Sequence, residues 1–307
     1  MCTALQRKQN RRLLGRTLDV EVEYGEELIC VPSDYPIDYG GGRTLNSRMA
    51  FMGIGVTVGG APLFFEAMNE AGLCVAALSF KGAKYFDPIE GERGIASFAL
   101  IPHLMRCASV SEVRAELSDA RITSESFAPD MPPTPLHWMV SARDGALTVE
   151  QTERGLLLYD NTCGALANAP EFPFHAIRAA ELAGLSAQNP ASSFPSGGYG
   201  ALGLPGDFSS PSRFLRAVVI SRLTPSAPDE VGAFFHIMDS VAIPCGAVID
   251  ESGAPRKTVY TSCMDADAGK YYFHTYANRS IRAAELTDFE RLTHIPIASP
   301  QNIEFIN

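Results

Sequence analysis

The feature that most constrains the fold is the order in which two periodicities alternate along the chain. Residues 12–20 (RLLGRTLDV), 50–58 (AFMGIGVTV) and 73–80 (LCVAALSF) are short, rich in apolar and β-branched residues, and bounded or interrupted by Gly, Asp or Arg, which predicts strands of a buried sheet. Helical spacing follows over 96–107 and 110–119, the second segment opening with Ser111 as its expected N-cap and Glu112 in its first turn. Strand-like segments return at 137–142, 146–151 and 155–159, and a helix-like run from Phe174 to Ala183 follows the loop around Asn168 and Pro170. Gly, Ser and Pro crowd residues 185–206; structured signals resume on both sides, so this reads as a surface excursion and not a domain linker. SSPSRFLRAVVISRL then reads as a capped helix, with Ser209 or Ser210 as cap, Pro211 in the first turn and a stripe of Phe214, Val218, Val219 and Leu223. A second helix is expected over 228–240, and a hairpin over 257–263 and 269–276. Strands, helix pair, strands, helix pair, strands imply an α+β sandwich of two sheets between helical layers, not a doubly wound parallel sheet.

At 307 residues, 46% of them hydrophobic, the chain can bury a large core as one big domain or two small ones. A net charge of −10 without a basic stripe argues against a nucleic-acid partner and for a small substrate. The cysteines at 2, 30, 74, 107, 163, 245 and 263 are odd in number with no close pair, which suits neither a disulfide framework nor zinc-ligand spacing. All but Cys2 are expected to be buried apolar fillers. The start MCTALQRKQNRRLL lacks the apolar run of a signal peptide, and the longest apolar stretches, such as Ala50 to Val58, are too short to span a bilayer, so a cytoplasmic location and no membrane partner are expected.

Cys2 carries the chemistry. A small residue after the initiator methionine allows Met1 to be removed, leaving a nucleophilic thiol and a free α-amine on one residue. The ordinary values of the two groups, ~8 for the amine and ~8.5 for the thiol, allow one to serve as base for the other. A cysteine at a frayed end would be the plain alternative. Arg16 and Asp19 sit in the apolar segment GRTLD, where unpaired charges are costly. They read either as an edge-strand ion pair or as a functional pair, with Arg16 favouring the thiolate and Asp19 holding the terminal ammonium.

The start MCT, GRTLD (15–19), MNEAGL (68–73), ANAPEFPFH (167–175), LGLPGDFSSPSRFLR (202–216) and YTSCMDADAGKYYFHTY (260–276) occur in the order and approximate spacing of the choloylglycine hydrolase family, which the chain resembles over nearly its whole length. That family contains conjugated bile salt hydrolases and penicillin V acylases. The resemblance implies one domain over 1–307 with the αββα sandwich of N-terminal nucleophile hydrolases, two mostly antiparallel sheets between helical layers. It also implies Cys2 as nucleophile and, through its amine, as base; Arg16, Asp19 and Arg213 as active-site charges; and Asn168 as an oxyanion donor. No cofactor is implied. His137 and His175 fall in family-like blocks, but this mechanism needs no histidine, and both read as structural.

Position 79 departs from the pattern: Ser79 stands where the bile salt hydrolases carry Asn and the penicillin V acylases Tyr. If this position offers its backbone N–H to the oxyanion, any side chain serves, and the side chain bears on substrate preference. Loops 20–27, 59–65 and 127–136 supply candidate pocket liners in Tyr24, Leu63, Phe64, Phe65, Phe127 and Met131, joined by Leu18 next to Asp19. The expected reaction is hydrolysis of the amide of a conjugated bile salt. Penicillin V or acyl-homoserine lactone cleavage, and an inactive acyl-ligand-binding relative, are the alternatives. The segment 185–201 is shorter than the corresponding excursion that helps assemble a tetramer in relatives; a homo-oligomer, dimer or tetramer, is expected.

Overall fold

The segment read as a strand over 12–20 forms at those bounds, Arg12–Val20, with its seven inner residues buried. A strand covered on both faces has no solvent side, which explains why its apolar residues run on instead of alternating. In this computed structural model, which describes residues 1–188 and 200–300, it lies inside an antiparallel sheet. The order is Ala165–Leu166, Cys2–Lys8, Arg12–Val20, Pro255–Asp265, Lys270–Thr275 and Arg282–Glu285, with Val248–Ile249 also paired to Pro255–Asp265. A second antiparallel sheet runs Gly155–Asp160, Gly145–Thr152, Leu136–Ala142, Cys74–Ser79, Glu66–Asn69, Phe51–Val58, Glu27–Val31 and Thr293–Pro296, with Ala61–Phe64 also on Phe51–Val58.

The strand period of two sorts the apolar residues of the second sheet into two cores. Leu28, Cys30, Met52, Ile54, Cys74, Ala76 and Leu78 join the core that fills the space between the sheets. Their neighbours Ile29, Val31, Phe51, Val75 and Ala77 join the core beneath the helices Leu100–Leu104 and Val110–Leu117. Across the molecule, Phe172–Glu181, Ser210–Leu223 and Glu230–Asp239 cover the first sheet, burying Phe214, Leu215, Phe234 and Met238. The layers are helix, sheet, sheet, helix, the expected αββα sandwich.

Several expected bounds shift for local reasons. A helix from 96 would place Pro102 in its interior, where its missing N–H and its ring are disfavoured; instead a strand, Arg93–Ala96, and a short turn, Ser97–Ala99, precede the helix at Leu100. The cap of the next helix is Ser109, not Ser111: Ser109 accepts from the Glu112 N–H, the Ser-x-x-Glu spacing of a capping box. Ser111 lies in the first turn and bonds Asp144 at 2.8 Å. Of the two serines considered for Ser210–Leu223, Ser209 is the cap. Half of the excursion at 185–206, residues 189–199, lies outside those described.

The strand Cys2–Lys8 has no counterpart among the sequence expectations. It is largely buried although it reads CTALQRK, because Arg7 is enclosed by Glu230 at 2.9 Å and by the carbonyls of Ser221, Thr224 and Pro225 at the end of Ser210–Leu223.

Candidate active site

Strand register brings the N-terminus to the centre of the molecule. Cys2 pairs with Leu18, and Ala4 pairs with both Arg16 and Leu166, so extending the second register by two residues sets Asn168 beside Cys2. Alternation then divides the charged residues between the faces of the sheet. Cys2, Arg16 and Leu18 point into the space between the sheets, whereas Thr3, Thr17 and Asp19 point toward the helices. A β-bulge in Pro255–Asp265, between Thr258 and Tyr260, lets that strand serve both faces: Thr258 pairs with Asp19 and Tyr260 with Leu18.

On the inner face, Cys2 is buried, and Arg16 Nη2 donates to its Sγ while Nη1 donates to the carbonyls of Phe65 and Ala77. Burial works against the Arg16 charge, but the Cys2 sulfur, Tyr260, Glu66 and Asp19 outweigh it, and the guanidinium is held above its ordinary range. On the outer face, Asp19 accepts from Thr258 Oγ1 at 2.6 Å and Thr17 Oγ1 at 3.0 Å, and lies 3.8 Å from Arg213. Its burial pushes the carboxyl up, partly offset by Arg213 and these hydroxyls. Met1 adds one rung: its N-terminal nitrogen donates to the Asp19 carbonyl at 2.6 Å and its carbonyl accepts from the Asp19 N–H at 3.0 Å.

Arg213, fully buried in the first turn of Ser210–Leu223, grips both sides of the Cys2 backbone. Nη1 donates to the Cys2 carbonyl at 2.6 Å and to Thr3 Oγ1, and Nη2 donates to Asn168 Oδ1 at 2.6 Å. The Cys2 nitrogen also donates to Asn168 Oδ1, at 3.0 Å, so two donors fix which way the Asn168 amide faces. Asn168 Nδ2 donates to the Ser79 carbonyl at 2.7 Å, which leaves its second hydrogen without a partner among the described residues. Phe80 donates its N–H to Pro135 O, so the Leu136–Ser79 rung is a non-hydrogen-bonded one, and the Ser79 N–H and carbonyl turn to the side where Asn168 lies. Asn168 thus links the Cys2 nitrogen to the Ser79 carbonyl; of these residues Cys2 and Ser79 border the cavity and Asn168 lies behind them.

The Asn168 loop, which contains a cis Ala169–Pro170 bond, is held by the two histidines read as structural. His137 Nε2 donates to Ala167 O at 2.7 Å and His175 Nε2 to Asn168 O at 2.8 Å, consecutive carbonyls of one loop. His137 Nδ1 lies 3.0 Å from Glu150, which also accepts from Phe172 N–H, while burial lowers the His175 pKa. Neither ring lines the cavity in front of Cys2.

That cavity encloses about 560 Å³ and is bordered by Met1, Cys2, Arg16 and Ser79. Leu18, Tyr24, Leu63, Phe64, Phe65, Phe127 and Met131 all line it, as do Phe98, Ile101, Leu136 and Trp138, which the sequence reading did not single out. At its mouth stand Glu21 and Arg256, 3.4 Å apart. Also unforeseen was Glu66, fully buried between the sheets 3.7 Å from Arg16. The expectation that all other cysteines are buried fails at Cys245, which is exposed in the loop before Val248–Ile249, and at Cys163, which is half-buried; Cys30, Cys74, Cys107 and Cys263 are buried. Among the described residues no group of three or more His, Cys, Asp or Glu side chains is placed to share a metal ion, and no helix is long and apolar enough to cross a membrane.

Residues 2–296 match the model of the linear amide C-N hydrolases, choloylglycine hydrolase family. The chain belongs to this family. Over its full length the chain is 34% identical to the bile salt hydrolase/transferase of Lactiplantibacillus plantarum, itself covered completely. It is 33% identical to the bile salt hydrolase/transferase of Clostridium perfringens, with 93% of this chain and 92% of that protein aligned. The crystal structure of a C2A mutant of the conjugated bile acid hydrolase from Clostridium perfringens superposes over both whole chains with a TM-score of 0.92 at 31% identity. The penicillin V acylase of Agrobacterium tumefaciens shares the fold, with a TM-score of 0.74 at 17% identity, over 93% of this chain and 86% of that one. The chain thus has the N-terminal nucleophile hydrolase fold and is a linear amide C-N hydrolase.

Proposed function

We propose that this enzyme hydrolyses the amide of glycine- or taurine-conjugated bile salts with Cys2 as nucleophile. The observation that carries the reading is the seat of Cys2: Arg16 on its sulfur, Asn168 on its nitrogen, and a largely apolar cavity in front, of a size within the roughly 300–1,000 Å³ typical of small-molecule sites. With Met1 removed, the α-amine takes the thiol proton and the thiolate attacks the amide carbon. The oxyanion that forms takes hydrogen bonds from the free Asn168 Nδ2 hydrogen and the Ser79 N–H. The Cys2 ammonium then protonates the departing amine, leaving a thioester. Water, deprotonated by the same α-amine, hydrolyses the thioester and restores the thiol.

In this scheme Arg16 stabilises the thiolate, Asp19 and Arg213 fix the charge and position of the terminal residue, and the cavity liners, among them Leu18, Tyr24, Phe64, Phe65, Phe127 and Met131, receive the acyl body. The names carried by relatives at 33–34% identity favour bile salts over penicillin V. Release of glycine, taurine and phenoxyacetate from the corresponding conjugates and penicillin V, with Cys2→Ser as control, tests it. Cleavage of bile-salt conjugates abolished by Cys2→Ser is expected; preferred cleavage of penicillin V would overturn the substrate assignment. The reading keeps residues 1–307 as one domain of a cytoplasmic homo-oligomer. Exposed Phe174, Ile177 and Leu202, on or near the outer helices, support an assembly contact.

A further inference from the structure

One fully buried carboxyl group near the nucleophile, Glu66, takes no part in the mechanism above. Glu66 projects from Glu66–Asn69 across the gap to the first sheet and is shielded from solvent. Oε2 accepts from Tyr260 Oη at 2.7 Å and Oε1 from Tyr271 Oη at 2.6 Å, while Arg16 Nη1 stands 3.7 Å from Oε2. The two phenols are placed to donate one to each carboxyl oxygen, an arrangement that favours the ionised form. Burial pushes the Glu66 carboxyl up, and Arg16 and the phenols pull it back. The strand approaches its neighbour so closely that a Cβ on Gly53 would lie 1.9 Å from the Glu66 backbone carbonyl, so the backbone that carries Glu66 is held close against that strand.

One guanidinium therefore faces both the Cys2 sulfur, through Nη2, and the Glu66 carboxyl, through Nη1. We propose that Glu66 is a positioning residue for the nucleophile: it anchors Arg16 against the second sheet and takes part of its charge, limiting how strongly Arg16 holds the thiolate. The limit matters because a thiolate held too firmly is a weaker nucleophile. The remaining groups facing this centre are Asp19 and Arg213 from the outer face, and Tyr24, Glu21 and Arg256 at the cavity mouth. The carboxylates Asp19 and Glu66 match the guanidinia Arg16 and Arg213, so removing Glu66 unbalances the buried set by one charge.

The inference rests on Cys2 being the nucleophile. The test is the pH profile of Cys2 alkylation by iodoacetamide in Met1-processed protein, followed on the N-terminal peptide by mass spectrometry so that exposed Cys245 does not interfere. Glu66→Gln keeps the size and removes the charge; the midpoint is expected to move to lower pH by about one unit, the acid limb of kcat/KM moving with it and KM staying near its original value. Glu66→Asp keeps the charge but draws it back from Arg16, giving a smaller shift in the same direction and a second variant if the first does not fold. An unchanged or raised midpoint in a folded variant, with only thermal stability reduced, overturns the proposal. Wild-type enzyme in which Cys2 alkylation leaves activity intact would instead overturn the nucleophile assignment.

Discussion

Replacing Asn168 separates two functions that its side chain performs at once. Nδ2 has one hydrogen on Ser79 O and, in the proposed mechanism, offers the other to the oxyanion, while Oδ1 accepts from Arg213 and from the Cys2 nitrogen. Asn168→Ala removes both ends. Loss of one preorganised oxyanion donor costs about 2.7–4 kcal/mol, a fall in kcat of roughly a hundred- to a thousandfold. Leaving buried Arg213 without this acceptor costs about 1.5–3 kcal/mol of stability. Asn168→Asp keeps the acceptor for Arg213 but replaces the donor by a negative oxygen where negative charge develops. Its rate should fall at least as far, while its thermal midpoint falls because the new oxygen stands against the Ser79 carbonyl that Nδ2 now serves. Steady-state kinetics on a bile-salt conjugate and thermal unfolding of the three proteins decide the matter. If Asn168→Asp retained a tenth of the wild-type kcat, or Asn168→Ala lost less than about tenfold, Asn168 would be holding the N-terminus without stabilising the oxyanion.

Protein retaining Met1 should fold but be inactive, because its Cys2 nitrogen is an amide that cannot accept a proton; intact mass and turnover on one sample check this, and full activity would refute the amine as base. Ser79→Ala should leave kcat within a fewfold, since only its backbone N–H faces the oxyanion, whereas Ser79→Asn and Ser79→Tyr should change the ratio of bile-salt to penicillin V cleavage; a loss in Ser79→Ala matching Asn168→Ala would make the hydroxyl a donor. Burial lowers His274 from 6.5 to about 4, so the folded protein binds fewer protons than the unfolded chain between these values. Stability should therefore fall as pH drops through this window, by at most about 3 kcal/mol, and His274→Phe should flatten the dependence measured by urea unfolding. Asp19 and Glu66, held above their ordinary range, act in the opposite sense, so the difference between wild type and variant isolates His274.

The elements legible in the sequence are those whose periodicity has one cause. Arg12–Val20 and the Ser209 cap are local statements about apolar runs and first-turn N–H groups, and both occur as read. Cys2–Lys8 was not legible because its buried Arg7 depends on Glu230 and carbonyls more than 200 residues away. Glu66 was hidden similarly: within LFFEAMN it resembles a strand's solvent-side residue, and only the pairing of sheets reveals Tyr260, Tyr271 and Arg16 around it. The residues brought around Cys2 were legible as motifs, but the two-histidine support of Asn168 required the folded loop.

The rung that Met1 forms with Asp19 bears on when the enzyme becomes an enzyme. An exopeptidase needs a free, extended terminus, yet here the terminal nitrogen is tied to the Asp19 carbonyl and burial lowers its pKa. Under the proposed mechanism, Met1 is therefore expected to be trimmed on the nascent chain, before the first strand zips into the sheet. A chain that folds first is caught one residue short of maturity, its conversion limited by the rate at which the strand end opens. Where synthesis outruns trimming, two equally folded populations accumulate, and specific activity becomes a record of how fast the protein was made.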